Sequence, residues 1–224
     1  MKKATYILLI FVLIPFSLVR SQQKKASDLT VTYTTSITTG AKEPVLADAF
    51  DGATTTIYIK GMMSRSEMVS ALASFTTIHD AKNSSSVILQ EVSGQKLLIR
   101  MTADDWKDKN KAYEGVTFTN TGETKTVAGY NCVKAMAKMK DGSSFSVYYT
   151  TEIVPDNMEY NYQFKDLVGL PLEYELKQGN LVIKYAADKI SLAPVPASKF
   201  DIPKSGYREL TYEESKKLGM GGQQ

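Results

Sequence analysis

A mainly β protein with a few short α-helices is predicted by three observations. Apolar and polar side chains alternate with period two over much of the chain. Turn residues punctuate those stretches at short intervals. Helix signals are confined to two short capped segments.

Each element follows from its own pattern. In 30–38, Val31, Tyr33 and Ile37 share one face and threonines the other. Ile57 and Ile59 continue this pattern in 54–59. The segment 62–74 is ambiguous, with Met63, Glu67 and Ser70 spaced for a weak helix. His79 falls in a strand-like run, Thr76-Thr77-Ile78-His79, and reads as a half-exposed sheet histidine. Val87–Val92 is apolar on both parities, which predicts a strand covered on both sides. Leu97, Ile99 and Met101 oppose Lys96 and Arg100. Thr102 to Asp105 resembles an N-cap with acids in the first turn of a helix reaching about Lys111. Strands follow at 133–140, 144–150, 171–177 and 181–185, each with one apolar face. Between the second and third of these, 160–167 reads as a turn of helix. After Tyr185 the parity switches, which predicts a bulge near 186–188. Thr211-Tyr212-Glu213-Glu214 is a capping box, with Gly219 at the C-cap position. Asn120-Thr121-Gly122, Asp141-Gly142 and Gly179-Asn180 read as connections between strands.

The domain organisation is equally simple. Residues 1–21 read as a signal peptide, with Lys2 and Lys3 before the apolar run Tyr6 to Phe16 and Ser21 at the cleavage site. That run falls short of the roughly 20 residues of a membrane span, and no later stretch approaches one. Residues 22–27 read as a mobile arm and 219–224 as a disordered tail. Residues 28–218 form a single domain of about ten antiparallel strands. A chain of this size buries roughly 70% of its unfolded surface. The leader predicts export.

The 27 Lys and Arg exceed the 24 Asp and Glu by three, and Lys2, Lys3 and Arg20 account for the whole excess. Without residues 1–21 the chain is neutral, with 24 basic and 24 acidic residues, so a nucleic-acid partner, which requires a basic footprint, is not expected. Its basic residues are 21 lysines and only Arg65, Arg100 and Arg208, a composition that suits solvated sheet faces.

Little chemistry is available. Cys132 is the only cysteine, so no intrachain disulfide can form, and it reads as a buried structural thiol. One histidine and one cysteine do not make a zinc site. No nucleophile elbow, phosphate loop or dinucleotide fingerprint occurs. The acid pairs Asp104/Asp105, Glu173/Glu175 and Glu213/Glu214 fall where solvated or helix-capping acids are ordinary. No catalytic residue, cofactor or metal is therefore expected, and the chain does not read as an enzyme.

Four segments carry a resemblance: Thr126 to Cys132 (TVAGYNC), Tyr148 to Pro155 (YYTTEIVP), Phe164 to Tyr174 (FKDLVGLPLEY) and Phe200 to Tyr207 (FDIPKSGY). They resemble an exported domain-of-unknown-function family related to the periplasmic lipoprotein carriers, the LolA-like, outer-membrane lipoprotein-sorting group. The resemblance implies a curved antiparallel half-barrel whose apolar side is covered by short helices, leaving a cavity. No arginine here matches the one that closes the carrier's lid. The resemblance implies the periplasm of a Gram-negative bacterium as the location and a lipophilic ligand, such as a lipoprotein acyl chain or lipid. Burying such a chain gains about 0.8 kcal/mol per methylene, and a cavity of roughly 300 Å³ or more would hold it. The candidate lining is Met62, Met63, Leu97, Ile99, Met101, Trp106, Val147, Tyr149, Phe164, Leu167, Leu170, Leu172 and Tyr174. A core and a cavity wall have the same sequence signature. The alternative is therefore a solid-core interaction or scaffolding module with an envelope protein partner.

Overall fold

The computed structural model describes residues 23–40, 50–178 and 180–218. The expected signal peptide, the tail and Gly219 lie outside the described residues, as does Gly179.

The chain runs through β1 (Lys24–Ala26), β2 (Asp28–Thr38), β3 (Thr54–Lys60), β4 (Met63–Val69), β5 (Ala73–Asp80), β6 (Ser85–Val92) and β7 (Gln95–Met101). The helix α1 (Ala103–Lys109) comes next, followed by β8 (Thr117–Val127), β9 (Tyr130–Lys138), β10 (Ser144–Thr150) and β11 (Ile153–Pro155). The last elements are β12 (Leu170–Gln178), β13 (Leu181–Ser191), β14 (Arg208–Thr211) and α2 (Tyr212–Lys217). Single turns of 3-10 helix occur at Lys111–Tyr113, Met158–Tyr160, Tyr162–Phe164 and Ala197–Phe200.

Twelve strands form one sheet in the order β14-β7-β6-β5-β4-β3-β2-β13-β12-β10-β9-β8. The sheet is large, curved and open, and its end strands β14 and β8 do not meet. Neighbours are antiparallel except β14, which lies parallel to β7. A separate parallel pair joins β1 to β11. Lys24–Ala26 is thus a strand, and the mobile arm predicted for 22–27 is corrected over those residues. Ala26 is buried, and its carbonyl accepts from the Asp156 amide, which anchors the segment.

Other differences have plain causes. The ambiguous stretch 62–74 is the hairpin of β4 and β5, not a helix, because Ser64, Arg65 and Ser66 pair on both sides. Asn120-Thr121-Gly122 does not separate strands but bulges within β8, where the register slips between Asn120 and Thr124. The strand escaped detection because polar residues occupy both of its faces. The parity switch is a bulge, placed between Ala187 and Lys189. Both capping boxes form, Thr102 with Asp105 and Thr211 with Glu214.

The inner face of the sheet carries Leu29, Val31, Tyr33, Ile57 and Ile59, continued by Ile183, Tyr185, Leu172, Tyr174, Val147 and Phe145. Ile153, Tyr160, Phe164 and Leu167 cover them. The Phe164 ring meets Tyr174 edge-on at 4.8 Å, and the Tyr33 hydroxyl donates to the Pro171 carbonyl at 2.8 Å. The outer face of β5–β7 is closed by the segment after β13. Val195 and Phe200 pack on Ile78, while Ile202 and Tyr207 pack beside Val87, Leu89 and Leu98. Cover on both faces explains why β6 is apolar on both parities. Asp28 pins the start of this segment by accepting from the Val195 amide at 2.8 Å. That bond and the Lys60 ammonium hold its carboxyl below the ordinary range.

Candidate functional site

Strand register defines rows that cross the inner face. One row reads Leu29, Ile59, Ser64, His79, Ser86, Met101. Its ends are apolar and its centre, on β4, β5 and β6, is polar. The adjacent row reads Val31, Ile57, Ser66, Thr77, Ile88, Ile99 and repeats the pattern on β4 and β5. A polar centre therefore separates two apolar clusters. One is the core around Phe164. The other comprises Ile88, Leu97, Ile99, Met101, Trp106, Leu210 and Tyr212.

His79 lies at this centre. It is 1% exposed, so the half-exposed position read from sequence is corrected: Ile78 is covered from outside and His79 from inside. The Trp106 indole stacks on the imidazole, with ring centroids 4.3 Å apart and planes 15° from parallel. The capping box at Thr102 starts α1 so that Trp106 points at the sheet, and the Asn110 side chain donates to the Trp106 carbonyl at 2.8 Å. His79 Nδ1 lies 2.8 Å from the Ser86 hydroxyl. From the Met158–Tyr160 turn, Glu159 brings a carboxylate oxygen to 3.9 Å from His79 Nε2. That is an ion-pair distance, too long for a hydrogen bond. Asn157 fixes the turn, donating to the Met62 carbonyl at 3.1 Å and accepting from the Glu159 amide at 3.0 Å. Burial holds the His79 pKa below its ordinary value of 6.5, against the opposing pull of Glu159 and Asp80, so the ring is neutral at pH 7.

Among the described residues, four buried side-chain atoms lack a hydrogen-bond partner: His79 Nε2 and Trp106 Nε1 on the stacked rings, and Tyr160 OH and Gln163 Nε2 on the covering turns. All four sit on the inner face or on segments packed against it. The His79 Nδ1–Ser86 contact forms with either neutral tautomer, so Nε2 is a donor in one and an acceptor in the other. The indole and amide nitrogens are donors only, and the phenol is able to donate. Each unpaired buried group costs about 1–3 kcal/mol. The site accordingly calls for acceptors.

The candidate lining residues do not form one wall. Val147, Phe164, Leu167, Leu170, Leu172 and Tyr174 pack together in the large core, with Tyr149 beside them. Leu97, Ile99, Met101 and Trp106 lie in the second cluster. Met63 packs on the outer face against Ile78, Val195 and Phe200, and Met62 is 46% exposed. Both methionines are thus misplaced by the expectation of a common lining. Open depressions among the described residues include one of about 220 Å³ beside Lys24–Asp28 and one of about 290 Å³ between Lys134 and Lys177. None of the predicted lining residues borders either one. Sequence reasoning missed Ser64, Ser86 and Glu159. The available signal was a set of hydroxyl residues at core parity in successive strands.

The acid pairs are structurally employed. Asp105 and Glu214 complete capping boxes. Burial would raise the Glu173 pKa, but hydrogen bonds from Lys125 and Lys184 outweigh it and hold the carboxyl below its ordinary value. Among the described residues no cluster of three or more His, Cys, Asp or Glu could hold a metal. Among the same residues no helix is long and apolar enough to cross a membrane.

The fold and site define an open, curved antiparallel sheet with a buried polar centre under short helical covers. The chain belongs to the DUF4412 family, described as a domain of unknown function, which matches residues 45–164. No curated protein matches it. Among solved structures it is similar to PNGF-II, with 15% identity, coverage of 86% of this chain and 33% of that one, and a TM-score of 0.51. It is also similar to MucB, with 11% identity, coverage of 82% and 59%, and a TM-score of 0.33. The Pseudomonas aeruginosa MucA/MucB complex gives 12% identity, coverage of 79% and 56%, and a TM-score of 0.34. The chain thus spans a third of PNGF-II and under two thirds of MucB, and the PNGF-II likeness shows the fold alone.

Proposed function

We propose that the protein is an exported, non-enzymatic binding protein whose inner sheet face takes an amphiphilic, acyl-bearing ligand. The supporting observation is the arrangement of that face: unpaired donors at a polar centre, flanked by two apolar clusters. A polar head would meet His79 and Trp106, and the acyl chain would lie against one of the clusters as its cover lifts. A lipoprotein acyl chain or a lipid fits this chemistry, and the leader read from the sequence fits a periplasmic location. Native mass spectrometry of mature protein purified from its own envelope tests the reading. An acyl-containing adduct is expected. A ligand-free mass, together with no uptake of a fluorescent acyl probe, overturns it.

A second reading has its own support. The candidate lining residues are divided among separate packed clusters, as in a solid-core interaction module for an envelope protein. Crosslinked envelopes that yield a stoichiometric protein partner and no bound acyl chain would favour it.

A further inference from the structure

We propose that the inner-face site selects an uncharged head group, one that offers both an oxygen acceptor and an N–H or O–H donor, over a carboxylate anion. The proposal rests on the binding reading above and specifies its ligand. Primary fatty amides and monoacylglycerols carry this chemistry; fatty acid anions do not.

Three features carry the argument. The first is the pair of unpaired nitrogens on stacked rings. His79 is 1% exposed and Trp106 is 8% exposed, and both Nε2 and Nε1 lack partners. The indole N–H is a donor only and calls for an oxygen acceptor, which an ammonium head does not supply, while Nε2 beside it is open to a group that both accepts and donates. The second is Glu159. Its carboxylate lies 3.9 Å from Nε2, and its side chain is half exposed, which leaves the orphaned nitrogen one carboxylate away from solvent. A carboxylate accepts only, so the complementary head must donate. The third is the sign of the local field. The charged groups that act on His79 are Glu159 and Asp80, both acidic. An anionic head bound here would meet like charge in a desolvated setting, where repulsion is strong. Ser86 leaves Nδ1 satisfied, so the free face of the ring is Nε2 alone.

The protein contains a single tryptophan, Trp106, so the indole of the site is itself the reporter. Mature protein is titrated with lauramide, 1-monolaurin and laurate below their aggregation thresholds, reading Trp106 emission and native mass. Lauramide and monolaurin are expected to bind about tenfold tighter than laurate, the equivalent of one hydrogen bond. In Glu159→Gln the negative charge is gone and the half-exposed position tolerates the change, so laurate is expected to approach lauramide. Equal or tighter binding of laurate in the unmodified protein overturns the head-group inference and leaves the binding reading standing. A preference that survives unchanged in Glu159→Gln overturns that inference in the same way. Binding of none of the three overturns both.

Discussion

The rings of His79 and Trp106 lie face to face at 4.3 Å, one from β5 and the other from α1. This contact fastens the short helix to the sheet, since the helix has too few turns to be stable by itself. Trp106→Ala should therefore destabilise the protein by about 3–5 kcal/mol. Trp106→Phe keeps a ring against His79 but loses part of the indole's buried volume along with an unpaired N–H, so it should cost less, about 1–2 kcal/mol. Urea unfolding followed by circular dichroism separates the two. Equal losses would show that a ring stacked on His79 is not what holds the helix.

Acidification should act through His79 before it acts through the carboxylates. Burial lowers the folded-state pKa of the ring, so the unfolded chain binds the proton more readily. The stabilisation is fully present above the ordinary value of 6.5 and is lost as pH falls below it. Acids with lowered pKa, such as Asp28 and Glu91, lose their contributions only below about pH 4.5. Melting temperature should fall between pH 7 and pH 5 in the unmodified protein, by a few degrees. In His79→Gln that slope should flatten. An unchanged slope in the variant would assign the effect elsewhere.

Gly169 sits with φ at +152°, and a Cβ there would collide with the Thr150 carbonyl oxygen and approach the Tyr149 ring at 2.7 Å. The obstruction is backbone, so it cannot swing aside. Gly169→Ala should cost roughly 2–4 kcal/mol. Gly142→Ala has open space and bears only the left-handed backbone penalty, about 1–2 kcal/mol. Comparable thermal shifts for the two would contradict the clash.

Cys132 is fully buried, and desolvation pushes its pKa up to about 11. The thiol stays protonated at pH 8 and should resist a disulfide-exchange reagent in the native protein. Full reactivity should appear only in denaturant. Rapid labelling under native conditions would show that β9 opens locally.

Much of the sheet was legible because alternation reports which residues share a face. What it omits is strand order and what lies over each face. Leu97 and Leu172 have the same signature, yet seven strand spacings separate β7 from β12, about 34 Å along the sheet. A common lining was thus beyond what parity could decide. His79 was misjudged for a related reason. Its cover comes from α1 and from the Met158–Tyr160 turn, and Ile78 behind it is covered by Val195 and Phe200. Those partners are distant in sequence, and no local pattern announces them. The strand β8 was invisible because its edge position leaves both faces polar.

The strand order also governs when the molecule can be finished. The hairpins β2 to β7 are local and can zip as soon as they are made. The free side of β2, however, waits for β13, and the free side of β7 waits for residues 208–211. A polypeptide delivered amino end first thus holds Leu29, Val31 and Tyr33 uncovered until residues 153–167 follow, and the edge of β2 unpaired until β13 arrives. Residues 208–217 come last and close the other edge, so their loss would be felt at Leu97 and Ile99 of β7, more than a hundred residues upstream.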